Sequence, residues 1–233
     1  MPAPSLVVLT ALKEELAAVE AAIPPADRER VKIIRAGIGW EAATRATQAA
    51  LSNGAPRWIC FSGFCGGLID GMAVGDVVIS NSFCAVEHTN ISVAKELCEK
   101  ISGALKSMGS KCHTGPIACA RSAVTSVEQK RELARTSDAI AVDMESFAVA
   151  HSAAGACGVF ALRAVSDAVT DALPPEIGGF LDANGDVRMT KVTRFMLGGP
   201  RNIKTLMDLK SRSEKAAASL TAAWKLAWPA LMA

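Results

Sequence analysis

The chain has 233 residues, half of them hydrophobic and 21% charged, with a formal net charge of +2. That length supports one domain with a large core, and so small a charge lacks the basic excess of a nucleic-acid binder. No uncharged stretch reaches the roughly eighteen residues that span a membrane, and MPAPSLVVLT has neither the basic flank nor the apolar length of a secretion signal.

The expected elements alternate between short β-type runs and longer helical ones. Residues 5–10 (SLVVLT) read as a strand, and 11–23 carry apolar residues at helical spacing. VKIIRAGIG is a second strand, leading into the helix WEAATRATQAALSNG, which stops at Asn53-Gly54. RWICFSG is a third strand and residues 76–86 a fourth, with a turn or helix expected directly after Gly63. Residues 95–109 are helical, and Gly115-Pro116 breaks the chain. SVEQKRELARTS reads as an exposed helix capped by Ser126. Residues 139–144 and 158–165 are apolar strands flanking the helix SFAVAHSAAGA, and LPPEIGG is a turn. The pattern is α/β alternation around a largely buried sheet, in one domain over residues 1–233. Residues 188–233 form a basic helical extension, with nine Lys/Arg against two acids and with Trp224 and Trp228 near its end.

Cysteines 60, 65, 84, 98, 112, 119 and 157 lie in hydrophobic runs and form no C-x-x-C, so neither disulfides nor zinc are expected. A reducing cytoplasm is the natural setting. His88, His113 and His151 lack metal-ligand spacing, and no metal site is expected.

Ligands of open α/β sheets bind beyond the strands' carboxyl ends. Parallel strands here would bring Glu14 and Glu15, Gly37-Ile38-Gly39, the Gly63–Gly67 loop, Glu145 and Ser166-Asp167 to one edge. Paired carboxylates there suit a reaction with a cationic transition state. Glu15 also fits a solvated first-turn residue, and Asp167 a turn or cap. Gly63-x-Cys65-x-Gly67 has the spacing of a nucleophile elbow, so a thiol hydrolase using Cys65, with His151 or another histidine as base, is a competing reading. GIGWEA follows a strand as G-x-G-x-x-A, but the next strand ends at Ser62-Gly63 without the acid a dinucleotide needs, so Gly37 and Gly39 read as turn residues.

TALKEEL, AGIGWEAA, SGFCGGL, and AVDMESFAVA followed by LRAVSDAV together resemble the purine nucleoside phosphorylase and nucleosidase superfamily, over roughly residues 5–170. The resemblance implies a three-layer α/β/α fold with a mixed, partly barrel-like sheet. It implies cleavage of a purine nucleoside's N-glycosidic bond, with Glu15 acting on the attacking water and Asp167, its carboxyl kept protonated by burial, supplying a proton to N7. Met144 and Glu145 would hold the ribose, and Gly63, Phe64, Cys65, Gly66, Val124 and Ser166 would complete the substrate site. No cofactor is implied, with phosphate as a potential co-substrate. Phe61 and Phe64 stand where phosphorylases grip phosphate, which favours hydrolysis, although backbone amides, Arg121 or Arg163 could serve instead. Ala123 replaces the aromatic that stacks on the base.

The turn and basic tail more loosely resemble the hopanoid-associated phosphorylases, implying adenosylhopane as substrate. Methylthioadenosine or adenosylhomocysteine is the alternative, and a non-catalytic nucleoside- or lipid-binding relative another. Trp224, Trp228 and the basic extension would then touch an anionic membrane, against the alternative that they pack on their own domain or on a dimer mate. A homo-oligomer, dimer or larger, is also implied.

Overall fold

The structure, a computed structural model, describes residues 4–232 apart from 53, 86, 87, 93, 108 and 110. Asn53 at the expected helix stop, Val86 at the end of the expected fourth strand and Met108 near the end of the expected 95–109 helix lie outside the described residues.

In chain order the elements are β1 (Leu6–Thr10), α1 (Lys13–Glu20), β2 (Val31–Arg35), α2 (Trp40–Leu51), β3 (Trp58–Gly67), β4 (Val77–Ser80), β5 (Ser82–Ala85) and β6 (His88–Ser92). There follow α3 (Lys95–Ser107), β7 (Cys112–Thr114), β8 (Ile117–Cys119), α4 (Val127–Ser137), β9 (Ala141–Asp143), α5 (Ser146–Ser152), β10 (Gly158–Asp167), α6 (Met189–Met196) and α7 (Pro200–Met232). Short 3-10 turns at Pro25–Arg30 and Pro175–Gly179 punctuate the chain.

The strands join in one mixed sheet with helices on both faces, an α/β fold. Its order is β6-β5-β8-β9-β3-β10-β4-β7, with β1 bridging β3 and β2. β3 is the branch point. Its first half, Trp58–Phe61, lies between parallel β1 and β10, while Gly66 and Gly67 pair antiparallel with Val142 and Ala141 of β9. One strand therefore serves two diverging halves of the sheet, which gives it its barrel-like curl.

Side chains alternate across a strand, and both faces here are buried. Leu6 and Val8 of β1, with Phe160, Leu162 and Ala164 of β10, meet Val19 of α1, Ile101 and Leu105 of α3, and Leu220 and Trp224 of α7. Val7 and Leu9, with Val159, Ala161 and Val165, meet Ala43 of α2 and Phe147 and Val149 of α5.

Three local expectations need correction. Residues 61–67 are not a turn or elbow: β3 runs through them, because Arg163–Asp167 of β10 and then β9 supply hydrogen-bond partners along its length. The expected strand at 76–86 is two strands. Asn81 breaks it where the Ser80 hydroxyl exchanges hydrogen bonds with Ser82 N and O, sending β4 to antiparallel β10 and β5 to parallel β8. Trp224 and Trp228 are not surface anchors. Trp224 is fully buried with Nε1 donating to Ser62 Oγ at 2.8 Å, and Trp228 Nε1 donates to Asp27 Oδ2 at 2.7 Å. No helix among the described residues is long and apolar enough to cross a membrane.

Candidate active site

β1, β3 and β10 run parallel, β1 ending just past its Leu9–Phe61 pair while β3 and β10 continue together to Gly67 and Asp167, where antiparallel β9 brings Asp143. A cavity of about 280 Å³ opens there. Its lining includes Glu15, Phe64, Cys65, Gly66, Val124, Met144, Glu145, Ser166 and Asp167. Gly63 and Phe61 do not line it.

Glu15 sits at the third position of α1, its carboxylate turned back over the helix start and 2% exposed. Oε2 accepts from Ala11 N at 2.8 Å and Leu12 N at 2.9 Å, and Oε1 accepts from Phe64 N at 2.7 Å. The carboxylate thus ties the helix N-terminus to β3, a place that favours negative charge. Gly63 is what lets it approach: a Cβ there would stand 2.6 Å from Oε2 and closer still to Cδ. Burial raises the Glu15 pKa, opposed by Arg163 and the three amides. A carboxylate tuned upward is a better base for water near neutral pH.

Glu145 follows β9. Its Oε1 accepts from Gly39 N at 2.8 Å and Oε2 from Met144 N at 3.3 Å. Burial first, and then the neighbouring Asp143 charge, push it up to about 8. The Gly39 amide is therefore already held by a protein carboxylate, and no phosphate cradle is needed to explain the glycines. Gly37, at φ +90°, lets Ala183 O come close and accept from Ile38 N at 2.9 Å, which docks the 173–187 segment onto the turn.

Beneath these carboxylates lies Arg163, 1% exposed, its guanidinium over the Phe61 ring at 4.2 Å. It pairs with Asp143 and lies 3.9 Å from Glu145. Asp143 Oδ1 also accepts from Ser146 Oγ at 2.8 Å and from the amides of Glu145 and Ser146, both at 3.2 Å, fixing the start of α5. Phe61 is thus a core platform for Arg163 and is not a wall of the site. Arg163 is neutralised by the acids around it, and Arg121 is exposed and stacks on Trp40 at 3.8 Å. Among the described residues no lysine or arginine lines the cavity.

Asp167 closes the third side, 6% exposed, with Oδ1 accepting from Ser166 Oγ at 2.7 Å. Burial does not act on it alone, as the sequence reading supposed. Lys130 of α4 is 0% exposed and its Nζ lies 2.5 Å from Asp167 Oδ2. Sequence reasoning missed Lys130 because a lysine on the face that also carries Val127, Leu133 and Ala134 reads as a solvated residue. It also missed Asp143, although a charge inside an apolar strand is a usable signal.

Cys65 lies mid-strand and 3% exposed, and burial pushes its thiol pKa up, so it stays protonated. The thiol nucleophile reading is withdrawn: neither the elbow nor the thiolate is present.

A sequence model described as the Phosphorylase superfamily matches residues 12–196. The chain belongs to the phosphorylase superfamily. Within this superfamily it is similar to a curated 5′-methylthioadenosine/S-adenosylhomocysteine nucleosidase of Shewanella loihica, 31% identical over 80 residues. That match spans about a third of each protein, 34% of this chain and 34% of the relative. Solved folds agree over nearly the whole length. Futalosine hydrolase of Helicobacter pylori superposes with a TM-score of 0.73 at 17% identity, covering 97% of this chain and 98% of that one. The methylthioadenosine/adenosylhomocysteine nucleosidase of H. pylori, complexed with a pyrrolidine inhibitor, gives 0.73 at 17%, covering 98% and 99%. That of Neisseria meningitidis, in complex with methylthio-immucillin-A, gives 0.71 at 18%, covering 96% and 98%.

Proposed function

We propose that this superfamily member hydrolyses the N-glycosidic bond of an adenine nucleoside. The observation that carries the reading is the convergence of Glu15, Glu145 and Asp167 in one cavity that no described lysine or arginine lines. Breaking the ribose C1′–N9 bond builds positive charge on the sugar, which carboxylates favour. With no described lysine or arginine lining the cavity, a phosphate dianion has no cationic side chain there to hold it, which supports water as the attacking group.

In this reading Glu15 takes the proton of the attacking water. Met144 and Glu145 hold the ribose, the latter through its hydroxyls. Asp167 and Ser166 face the purine, with Asp167 passing a proton to N7 so that the base departs neutral. Val124, Phe64, Cys65 and Gly66 shape the pocket around it, with Gly63 acting from behind through Glu15.

Leu12, Ile38, Leu173, Ile177 and Leu181 are among the apolar residues that line the cavity. They support an apolar 5′ substituent, which both methylthioadenosine and adenosylhopane have. A specific surface favours a lipid-borne substrate. From Val187 to Met207 there are five bases, Arg188, Lys191, Arg194, Arg201 and Lys204, and no acid. Met189, Leu197 and Met207 there are 65%, 82% and 66% exposed. A basic, apolar helical hairpin of this kind suits an anionic bilayer surface.

The deciding assay incubates the protein with methylthioadenosine, adenosylhomocysteine, adenosine or adenosylhopane, with and without phosphate, and follows free adenine. Release without phosphate, lost in Asp167→Asn, is the expected outcome, while strict phosphate dependence would reverse the choice of water. Pelleting with phosphatidylglycerol vesicles, weakened in Leu197→Asp, tests the membrane contact. Sedimentation tests the homo-oligomer.

A further inference from the structure

Lys130 projects from α4 into the back of the site and is among the largest fully buried side chains. Its Nζ donates to Asp167 Oδ2 at 2.5 Å, to Ala168 O at 2.8 Å and to Asp171 O at 2.8 Å. Three acceptors match the three protons of an ammonium. The Asp171 carboxylate faces elsewhere, accepting from Ala168 N at 2.9 Å and pairing with Arg212 at 3.1 Å. On Asp167, Lys130 donates to Oδ2, while Ser166 Oγ lies 2.7 Å from Oδ1 and 3.2 Å from Cys65 O, two acceptors for its one proton. Oδ2 is thus held by a proton that belongs to Lys130.

Adenine cleavage nevertheless requires Asp167 to deliver one. Of the two groups bonded to it, the ammonium is by far the stronger acid. Resting on the nucleosidase reading, we propose that Lys130 is a positioning residue that also stores the proton passed through Asp167 to the leaving purine. The Nζ–H bond breaks as a bond to Asp167 forms. The carboxyl then gives a proton to N7 as the C1′–N9 electron pair moves onto the purine. Asp167 is a carboxylate before and after, Lys130 passes from ammonium to amine, and the base leaves neutral. The proton that Glu15 takes from water balances the charge, and exchange with solvent on product release restores both groups.

Arginine separates proton storage from mere charge pairing, because a guanidinium keeps the charge and the hydrogen bonds but does not give up its proton. Adenine release by the full chain is measured for Lys130→Arg, Lys130→Met, Asp167→Asn and the double variant Lys130→Met/Asp167→Asn. For Lys130→Arg and Lys130→Met, kcat is expected to fall about 100-fold or more with KM within about threefold. The double variant should be no slower than Asp167→Asn alone, since Lys130 acts only through that carboxyl. Lys130→Arg within about threefold of the parent in kcat, or a double variant at least about tenfold slower than Asp167→Asn, overturns the proposal. If Lys130→Met fails to fold, the arginine variant and the charge-free double variant still decide. An Asp167→Asn variant of full activity would instead refute the nucleosidase reading beneath it.

Discussion

Gly63→Ala places one methyl group where β3 meets Glu15. The new Cβ would stand 2.6 Å from Oε2, well inside contact distance, so the carboxylate has to leave Phe64 N, its partner at 2.7 Å. Overpacking of this kind costs about 1–3 kcal/mol, and a buried amide left without its acceptor about 1–3 kcal/mol. The middle of the combined range is about 4 kcal/mol, which lowers the melting temperature of a chain this long by about 8–16 °C. The activity loss should be larger than the stability loss suggests. On the hydrolysis proposed above, with Glu15 as the base, its displacement forfeits about 100-fold or more in kcat, while the ribose contacts proposed for Glu145 hold KM nearly constant. Adenine release from methylthioadenosine and thermal melts, run beside Glu15→Gln, measure both effects. A melting shift below about 2 °C together with kcat within about threefold of the parent would refute the reasoning, because Glu15 would then not depend on an empty Gly63.

Glu145 holds a proton up to about 8 in the folded chain, against an ordinary 4.5. The folded state therefore binds more protons between those values, and stability is lost as pH rises from about 5 to about 8, by up to about 1.4 kcal/mol per pH unit. Urea midpoints across that window should flatten in Glu145→Gln, and an unchanged slope counts against the assignment. Cys65→Ala should keep kcat within about threefold, since the buried thiol performs no chemistry, and iodoacetamide should leave Cys65 of the native protein unlabelled. Trp224→Phe removes the donor to Ser62 Oγ and some buried volume. It should cost about 2 kcal/mol, seen as a melting temperature about 4–8 °C lower.

The alternation of strands and helices was legible because buried strands and amphipathic helices have different periods. β1 and β10 were visible for that reason, and so was the sharing of one sheet edge by Glu15, Glu145 and Asp167. β3 was read too short because Gly63, Gly66 and Gly67 signal turns locally, whereas here they leave room for Glu15, Asp167 and β9. β7 and β8, three residues each, are too short for a period to register. Lys130 was illegible for another reason. Val127, Leu133 and Ala134 mark an inner face in VEQKRELARTS, but only the tertiary contacts with Asp167, Ala168 and Asp171 make the lysine on that face a core residue. For Trp224 and Trp228 the sequence leaves a membrane contact and packing on the domain open, because basic residues surround them; the buried indoles decide for packing.

Chemistry and entrance belong to different parts of this chain. Glu15 and Asp167 are fastened to β3 and β10, in the most deeply buried part of the sheet. Leu173, Ile177, Leu181 and Ser213, which also line the cavity, come from the 173–187 segment and the first half of α7. The catalytic half can loosen only if the core loosens, so amide exchange at Phe64 should report global unfolding. The other half can be rewritten at little cost to the fold. On the proposed function, grafting a different 173–187 segment would alter the fit to a nucleoside's 5′ group while leaving Glu15, Lys130 and Asp167 in place.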